Sequence, residues 1–483
     1  MQYQSTRDAA LRVSAAQAIV QGLAPHSGLF VPQTFPQVDW QAWKDLTYPE
    51  LAAQVVGSFL TDYDPDFLRS AAAATYGEAF GGKAGELKKV HDGLHALELW
   101  HGPTCAFKDY ALQLMPKLLV EAKRMLGHTE TTRILVATSG DTGKAALAGY
   151  AGLEGIDISV FYPNDGTSEI QRLQMATQQG ENVAVYAVQG NFDDAQTGVK
   201  RVFADETVAE ELAGRGVCLS SANSINWGRL VPQIVYYFYA YYRLAERGEV
   251  QWGEPVDFCV PTGNFGDILA GYYAKRMGLP VGRLICASNR NNVLTDFIRT
   301  GHYDARRTFY KTTSPSMDIL ISSNLERLLY HVCGSSDQVN AWMRSLAETG
   351  EYTVDAATLA AVQEHFGCGC ADDKQAACQM DARFVQDAYL CDPHTAVAFC
   401  VAKAEKRDDV PMVVLSTASP YKFPRDVLAA LGETVPDSDF AAMRALQEKT
   451  GQPAPESLRV LEGLGVRFSA VIEPQEIRAK ALR

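Results

Sequence analysis

From about residue 96 onward, short β-branched or apolar runs alternate with stretches of helical period. Apolar runs at 133–137, 158–161 and 183–188 are followed by helix-period stretches at 142–151, 168–179 and 193–212. The pattern resumes at 256–260 with 266–277, adds a run at 284–286, and closes at 412–415 before 425–431. Parallel strands cannot be joined by a tight turn, so this alternation predicts βαβ units: an α/β fold of parallel-rich sheets covered by helices on both faces. Ligands of such sheets bind beyond the carboxyl ends of the strands, which makes the strand-to-helix turns the place to look for chemistry. Residues 1 to about 95 read differently, with helical patterns, an Ala-rich segment at 70–74 and the Gly81-Gly82 pair. They are expected to form a mainly helical N-terminal domain (1–95) ahead of the α/β body (96–483).

At 483 residues, about three domains or subdomains are expected. Lys plus Arg number 44 against 57 Asp plus Glu, a net charge of −13 that disfavours nucleic acid and anionic membranes as partners. An anionic ligand must therefore meet a local cluster of donors. The opening residues carry Asp8 and no apolar core, unlike a secretory signal. The most apolar stretch, 230–245, is interrupted by Pro232, Gln233 and Arg243 and reads as a buried helix, too short to span a bilayer. Ten cysteines are too dilute for a disulfide framework, and Cys218, Cys259 and Cys286 sit inside apolar runs, so reduced thiols and a cytoplasmic location are expected.

Three strand-to-helix turns are rich in small and polar residues. Thr138-Ser-Gly-Asp-Thr-Gly-Lys144 lacks the spacing of a phosphate-binding P-loop. It reads either as a nest of backbone N–H groups for a carboxylate or phosphate, or as a capped turn with Ser139 or Thr142 at the N-cap. Pro261-Thr-Gly-Asn-Phe-Gly-Asp267 reads as a phosphate site at a helix start near Phe265, or as a simple tight turn. Leu415-Ser-Thr-Ala-Ser-Pro420 places Ser416 and Thr417 at the end of the last strand, within reach of a ligand. In Leu97-Glu-Leu-Trp-His-Gly-Pro-Thr-Cys-Ala-Phe-Lys-Asp-Tyr110, Lys108 follows Cys105, Ala106 and Phe107 at the start of a helix expected to run through Leu119. Desolvated there, its amine can form a Schiff base with a phosphate-bearing aldehyde.

Taken together, the 101–109, 138–143, 261–266 and 416–420 stretches resemble threonine synthase, a pyridoxal-phosphate enzyme of the tryptophan-synthase-β-like fold. Further matching stretches occur in order: Gly22-Leu-Ala-Pro-His-Ser-Gly-Leu-Phe-Val-Pro32, Gly190-Asn-Phe-Asp-Asp194, Asn223-Ser-Ile-Asn-Trp-Gly-Arg229, Ser314-Pro-Ser-Met-Asp318 and Asp392-Pro-His-Thr-Ala396. The resemblance implies a two-lobed fold-type-II body with pyridoxal 5'-phosphate between the lobes, and the long-chain branch with its extra N-terminal domain.

By that resemblance, Lys108 carries the cofactor as a Schiff base and removes the substrate Cα proton. Gly263, Asn264, Phe265 and Gly266, with Asp267 behind them, cradle the cofactor phosphate through backbone N–H groups. Thr417 faces the pyridine nitrogen, where a neutral hydroxyl moderates the electron sink. Ser139, Gly140, Thr142 and Gly143 hold the substrate carboxylate. Asp141 borders the cofactor, its side chain expected to turn toward backbone donors or the cofactor hydroxyl. Asn223, Ser224 and Arg229 are implied near the substrate phosphate, with Ser314, Ser316 and Arg290 as lesser candidates; Arg229 alternatively pairs with a surface acid.

The implied activity is conversion of O-phosphohomoserine and water to L-threonine and phosphate, the last step of threonine biosynthesis. Its alternatives are a phospho-lyase releasing a 2-oxo acid and a non-catalytic pyridoxal-phosphate-binding protein. Ser419 departs from the His of the family's usual Ser-Thr-Ala-His-Pro form. Cys368, Cys370 and Cys378, with Cys391 or His365, lack paired knuckles and read as free thiols in a helical insert, with no metal expected. His394 reads as structural, at a turn into a helix.

Overall fold

The computed structural model describes residues 1–165 and 167–483, the side chains of His26 and Asp193 excepted. Those two side chains belong to stretches that carry the resemblance and lie outside the described residues. Strands follow in chain order: β1 (Tyr3–Ser5), β2 (Asp8–Val13), β3 (Phe30–Pro32), β4 (Glu86–His91), β5 (Leu94–Glu98), β6 (Thr131–Ala137), β7 (Ile156–Pro163) and β8 (Val183–Val188). Then come β9 (Val217–Ser220), β10 (Val256–Pro261), β11 (Val281–Ser288), β12 (His302–Asp304), β13 (Glu351–Thr353), β14 (Phe366–Cys370), β15 (Met412–Ser416) and β16 (Val471–Ile472).

Two open sheets carry the body. One has the order β16-β8-β7-β6-β9 and is parallel throughout; the other has the order β14-β11-β10-β15-β5-β4 and is parallel except for β4. Central strands such as β10 and β15 are buried at every position, as strands covered on both faces must be, which is why they read as unbroken apolar runs. The N-terminal segment contains helices Ala15–Gln21, Tyr48–Phe59 and Pro65–Tyr76, and also the antiparallel sheet β2-β1-β3, which its helical periodicity does not announce. Residue 95 falls within β5, so β4 already belongs to the six-stranded sheet. One hydrophobic core runs from Tyr3, Phe30 and Phe59 through Trp227 and Tyr273 to Ile134 of β6 and Phe258 of β10, fastening the N-terminal segment to both sheets. Each such large buried side chain contributes about 2 kcal/mol.

Three expected elements differ in detail. The helix begun after Lys108 is interrupted: Asp109–Leu112 ends and Met115–Leu126 begins anew, because Pro116 has no N–H to continue the first helix. The stretch 193–212 divides into Phe192–Ala204 and Glu206–Ala213, since the extended Asp205 accepts the Thr207 N–H and caps the second helix. Cys368 and Cys370 lie on β14, an edge strand paired with β11, and not in a helical insert. Gly367 and Gly369 permit that strand: a Cβ on them would lie 2.4 Å from the Arg283 guanidinium and 2.8 Å from Val401. The 230–245 stretch is a buried helix, Val235–Glu246, entered through a 3-10 turn holding Pro232. No described helix is long and apolar enough to cross a membrane.

Candidate active site

Lys108 ends a tight loop that closes on Asp109. The Thr104 N–H and hydroxyl donate to the two oxygens of the Asp109 carboxylate at 2.8 and 2.7 Å, and Cys105 adopts a left-handed conformation (φ 61°) within the turn. The Lys108 side chain is buried, and its Nζ donates to Ser316 Oγ at 3.1 Å. Burial draws the amine down to about 8, with Arg229 and Lys422 acting in the same direction and Asp141 and Asp267 opposing. At neutral pH roughly a tenth of such amines are unprotonated, against fewer than one in a thousand for an ordinary lysine. That is the state needed of a nucleophile.

Of the two expectations for Asp141, backbone donors or the cofactor hydroxyl, the first is not met: its carboxylate faces side-chain donors. Its Oδ1 accepts from Lys422 Nζ at 2.7 Å and Gln171 Nε2 at 2.9 Å, while Oδ2 lies 3.8 Å from Lys108 Nζ. The two lysines hold this fully buried carboxylate far below the usual range despite its desolvation. Neither Lys422 nor Gln171 was legible as a site residue; Lys422 stands two residues past the Ser416–Pro420 stretch, where its only signal is a lysine between Tyr421 and Phe423. Ser419 explains itself locally, accepting the Tyr421 N–H and so capping the turn that delivers Lys422. The Ser416 hydroxyl is taken up by Trp100 and Thr395, whereas the hydroxyl of the buried residue Thr417 has no partner among the described residues.

The 263–267 loop is built as a cradle. Ser322 donates to the Gly263 carbonyl at 2.7 Å, and both the amide and the side chain of Asn324 donate to the Asn264 carbonyl. Phe265, left-handed at φ 61°, caps helix Gly266–Arg276, whose first N–H groups point back over the loop. Behind it, Asp267 Oδ1 accepts from Tyr236 and Tyr237, Oδ2 is buried without a partner, and burial pushes the carboxyl up to about 7. Arg327, wholly buried and unanticipated, donates to the carbonyls of Phe30, Ser224 and Ile225 and to Asn324. One guanidinium thus joins the N-terminal sheet, the Asn223–Arg229 stretch and the cradle.

In the 138–143 turn, the capping hydroxyl is Thr138, not Ser139 or Thr142. It accepts the N–H groups of Gly140 and Gly143, leaving those of Asp141 and Thr142 at the helix start without a partner among the described residues. Gly140, at φ 148°, is the N-cap. Arg229 is buried; its Nη1 donates to the Ala222 carbonyl at 2.9 Å, and its Nε has no partner. It forms no ion pair with any described acid, which removes the surface-acid alternative. Burial alone draws it down to about 10. Asn223 and Ser224 are half-buried on the same turn. Of the lesser candidates, exposed Arg290 stacks on Tyr310, Ser314 is bonded to Asn289, and only Ser316 meets Lys108. His394 accepts the Ser316 N–H through Nε2 at 3.1 Å, so its proton is on Nδ1, facing Asp392 at 2.6 Å.

Comparison with known proteins agrees along the whole chain. Residues 2–76 match the family description "Threonine synthase N terminus", 84–369 "Pyridoxal-phosphate dependent enzyme", and 395–478 "Threonine synthase, C-terminal". Threonine synthase of Pseudomonas aeruginosa is 40% identical over 439 residues, spanning 88% of this chain and 90% of that protein. The chain belongs to the threonine synthase family. The crystal structure of pyridoxal-phosphate-bound threonine synthase from Brucella melitensis superposes with a TM-score of 0.89 at 36% identity, covering 100% of this chain and 99% of that one. Human threonine synthase-like 1 is also 40% identical, over 442 residues covering 88% of this chain, but this chain spans only 59% of that relative's length.

Pyridoxal 5'-phosphate is accordingly the cofactor, as in the family, and the fold is that of its fold-type-II enzymes. The residues present fit such a group: a desolvated lysine, a glycine cradle at a helix start and a Thr417 hydroxyl without a partner among the described residues. The cradle yields a prediction. A Cβ at Gly263 would lie 2.6 Å from the Ser316 carbonyl oxygen, so Gly263→Ala should push the loop off the Ser314–Met317 turn. Cofactor affinity, read by equilibrium dialysis, is expected to fall by about tenfold to a hundredfold, on the scale of one or two charge-assisted bonds.

Proposed function

We propose that this chain converts O-phosphohomoserine and water to L-threonine and phosphate. The observation that carries the reading is Arg229: a buried guanidinium whose charge acts on Lys108, and which has no acid partner among the described residues, offers an anion site in addition to the glycine cradle. Burying a cation without a counter-charge is costly, and a substrate phosphate supplies the missing charge together with geometry that suits the guanidinium fork.

In this scheme Gly263, Asn264, Phe265 and Gly266 would hold the cofactor phosphate through backbone N–H groups, and Thr417 would hold the ring nitrogen. The bound cofactor supplies the electron sink that acidifies substrate carbons. Lys108 would hold the cofactor through its aldehyde and, with its amine free, would take the substrate Cα proton and return protons along the substrate. The free amides of Asp141 and Thr142, within the Ser139–Gly143 turn, receive the substrate carboxylate at the positive end of the helix dipole. Asn223, Ser224 and Arg229 orient the departing phosphate. All ten cysteines are free thiols, which suits a reducing, cytoplasmic setting.

The test is product analysis. Purified protein loaded with pyridoxal phosphate and supplied with O-phosphohomoserine is expected to release threonine and phosphate in equal amounts. Stoichiometric 2-oxobutyrate without threonine would make it a phospho-lyase, and phosphate-free incubation products would leave only a cofactor-binding protein.

A further inference from the structure

Lys422 has no place in the scheme above, yet it is as deeply buried as any charged side chain in the protein. Its Nζ donates to Asp141 Oδ1 at 2.7 Å and to the Thr104 carbonyl at 3.0 Å, within the loop that ends in Lys108. Its position is over-determined. Ser419 caps its turn, the Ser419 N–H donates to the Cys105 carbonyl, and the Phe107 N–H donates to the Thr417 carbonyl, so the segments carrying the two lysines are zipped together. Gln171 supplies the remaining donor to Asp141 Oδ1. Between them, Lys422 and Gln171 take the carboxylate's hydrogen bonds, and Lys108, 3.8 Å from the other oxygen, takes none.

We propose that Lys422 is a positioning residue: by claiming the Asp141 carboxylate, it releases the Lys108 amine to act as nucleophile and base. The idea rests on the reading of Lys108 as the cofactor-bearing lysine. A buried aspartate with one cationic neighbour holds that neighbour as an ammonium; with two, it can be satisfied by the one that has no chemistry to do. The charged groups that face Lys108 are Asp141, Asp267, Arg229 and Lys422, and the titratable groups that face Lys422 are Asp141, Lys108, Asp109, Lys144 and Cys105. Without Lys422, Lys108 loses a repelling cation and gains sole possession of Asp141. Both changes favour its protonated form.

The measurement is the rate at which the full chain, freed of cofactor, captures pyridoxal phosphate as a function of pH, followed by absorbance of the imine. For Lys422→Met the midpoint of that profile is expected to move up by about one pH unit, slowing capture at neutral pH about tenfold. Adding Asp141→Asn to Lys422→Met removes the charge that would then hold Lys108 as an ammonium and should bring the midpoint back to, or below, that of the parent protein. Asp141→Asn alone should lower it, which keeps the idea testable if Lys422→Met fails to fold. A purely architectural lysine would alter stability without moving the midpoint. An unchanged midpoint in folded Lys422→Met, or a shift that Asp141→Asn does not reverse, overturns the proposal. Capture by the parent protein that persists in Lys108→Ala would instead sink the reading on which it rests.

Discussion

Lys108→Ala is expected to abolish covalent capture of pyridoxal phosphate and to lower threonine formation by at least about a thousandfold. The loss follows from two roles resting on one nitrogen. In the proposed scheme Lys108 Nζ is the nucleophile toward the cofactor aldehyde and, after exchange with the substrate amine, the base for the substrate Cα proton; no other described amine is offered for these roles, because Lys422 is tied to Asp141 and Thr104, and Lys144 donates to Gln178. The variant should fold. Removing Lys108 leaves Asp141 still paired with Lys422 and Gln171, and the vacated space adjoins polar groups that water can satisfy. Absorbance of the cofactor imine and thermal denaturation, measured together, separate loss of chemistry from loss of structure. In the parent protein, the pH dependence of capture carries the same signature: because burial draws Lys108 to about 8, the rate should rise through neutral pH and level off above about pH 8, well below where an exposed lysine would level off. A profile still climbing at pH 10 would contradict the desolvated site.

What the sequence made legible, and what it did not, divides along contact distance. Strands β6, β7, β8, β10 and β15 were readable because strands covered by helices are mostly buried and carry short apolar runs. Lys108, the 263–267 loop and Thr417 were readable because short motifs hold them in local turns. The three-residue strands β1 and β3 were not, since three residues show no period. Nor was β14, whose Gly and Cys residues answer to Arg283 and Val401 packing on them and not to any local propensity. Arg327, Lys422 and Gln171 escaped for one further reason: each works by reaching segments far away in the chain, as when Arg327 bonds to Phe30. Polar side chains of this kind have no amphipathic pattern to betray them; they become visible only when burial without an acid partner, or between two rivals for one, is seen in three dimensions.

Arg229 makes the sharpest separation between a residue kept for stability and one kept for function. Arg229→Met preserves the length and much of the volume of the side chain while deleting the charge. If the guanidinium were structural, the change would destabilise the fold. The site argues the reverse: Arg229 makes a single side-chain hydrogen bond among the described residues, to the Ala222 carbonyl, leaves Nε unsatisfied, pairs with no described acid and acts on Lys108 as a like charge. An uncompensated buried cation opposes folding, so the methionine variant is expected to melt at the same or a higher temperature in the absence of ligand. Its kcat/KM for O-phosphohomoserine should nevertheless fall by about a hundredfold to a thousandfold, the cost of removing one partner from a desolvated charge pair. Imine formation with the cofactor, which depends on Lys108 and the glycine cradle, should persist, and inorganic phosphate should raise the melting temperature of the cofactor-loaded parent but not of the variant. Lower stability with unimpaired turnover would return Arg229 to an architectural role and leave the substrate phosphate to be sought elsewhere, whereas the expected pattern would show that the fold tolerates an unpaired charge at its centre because the substrate brings the pair.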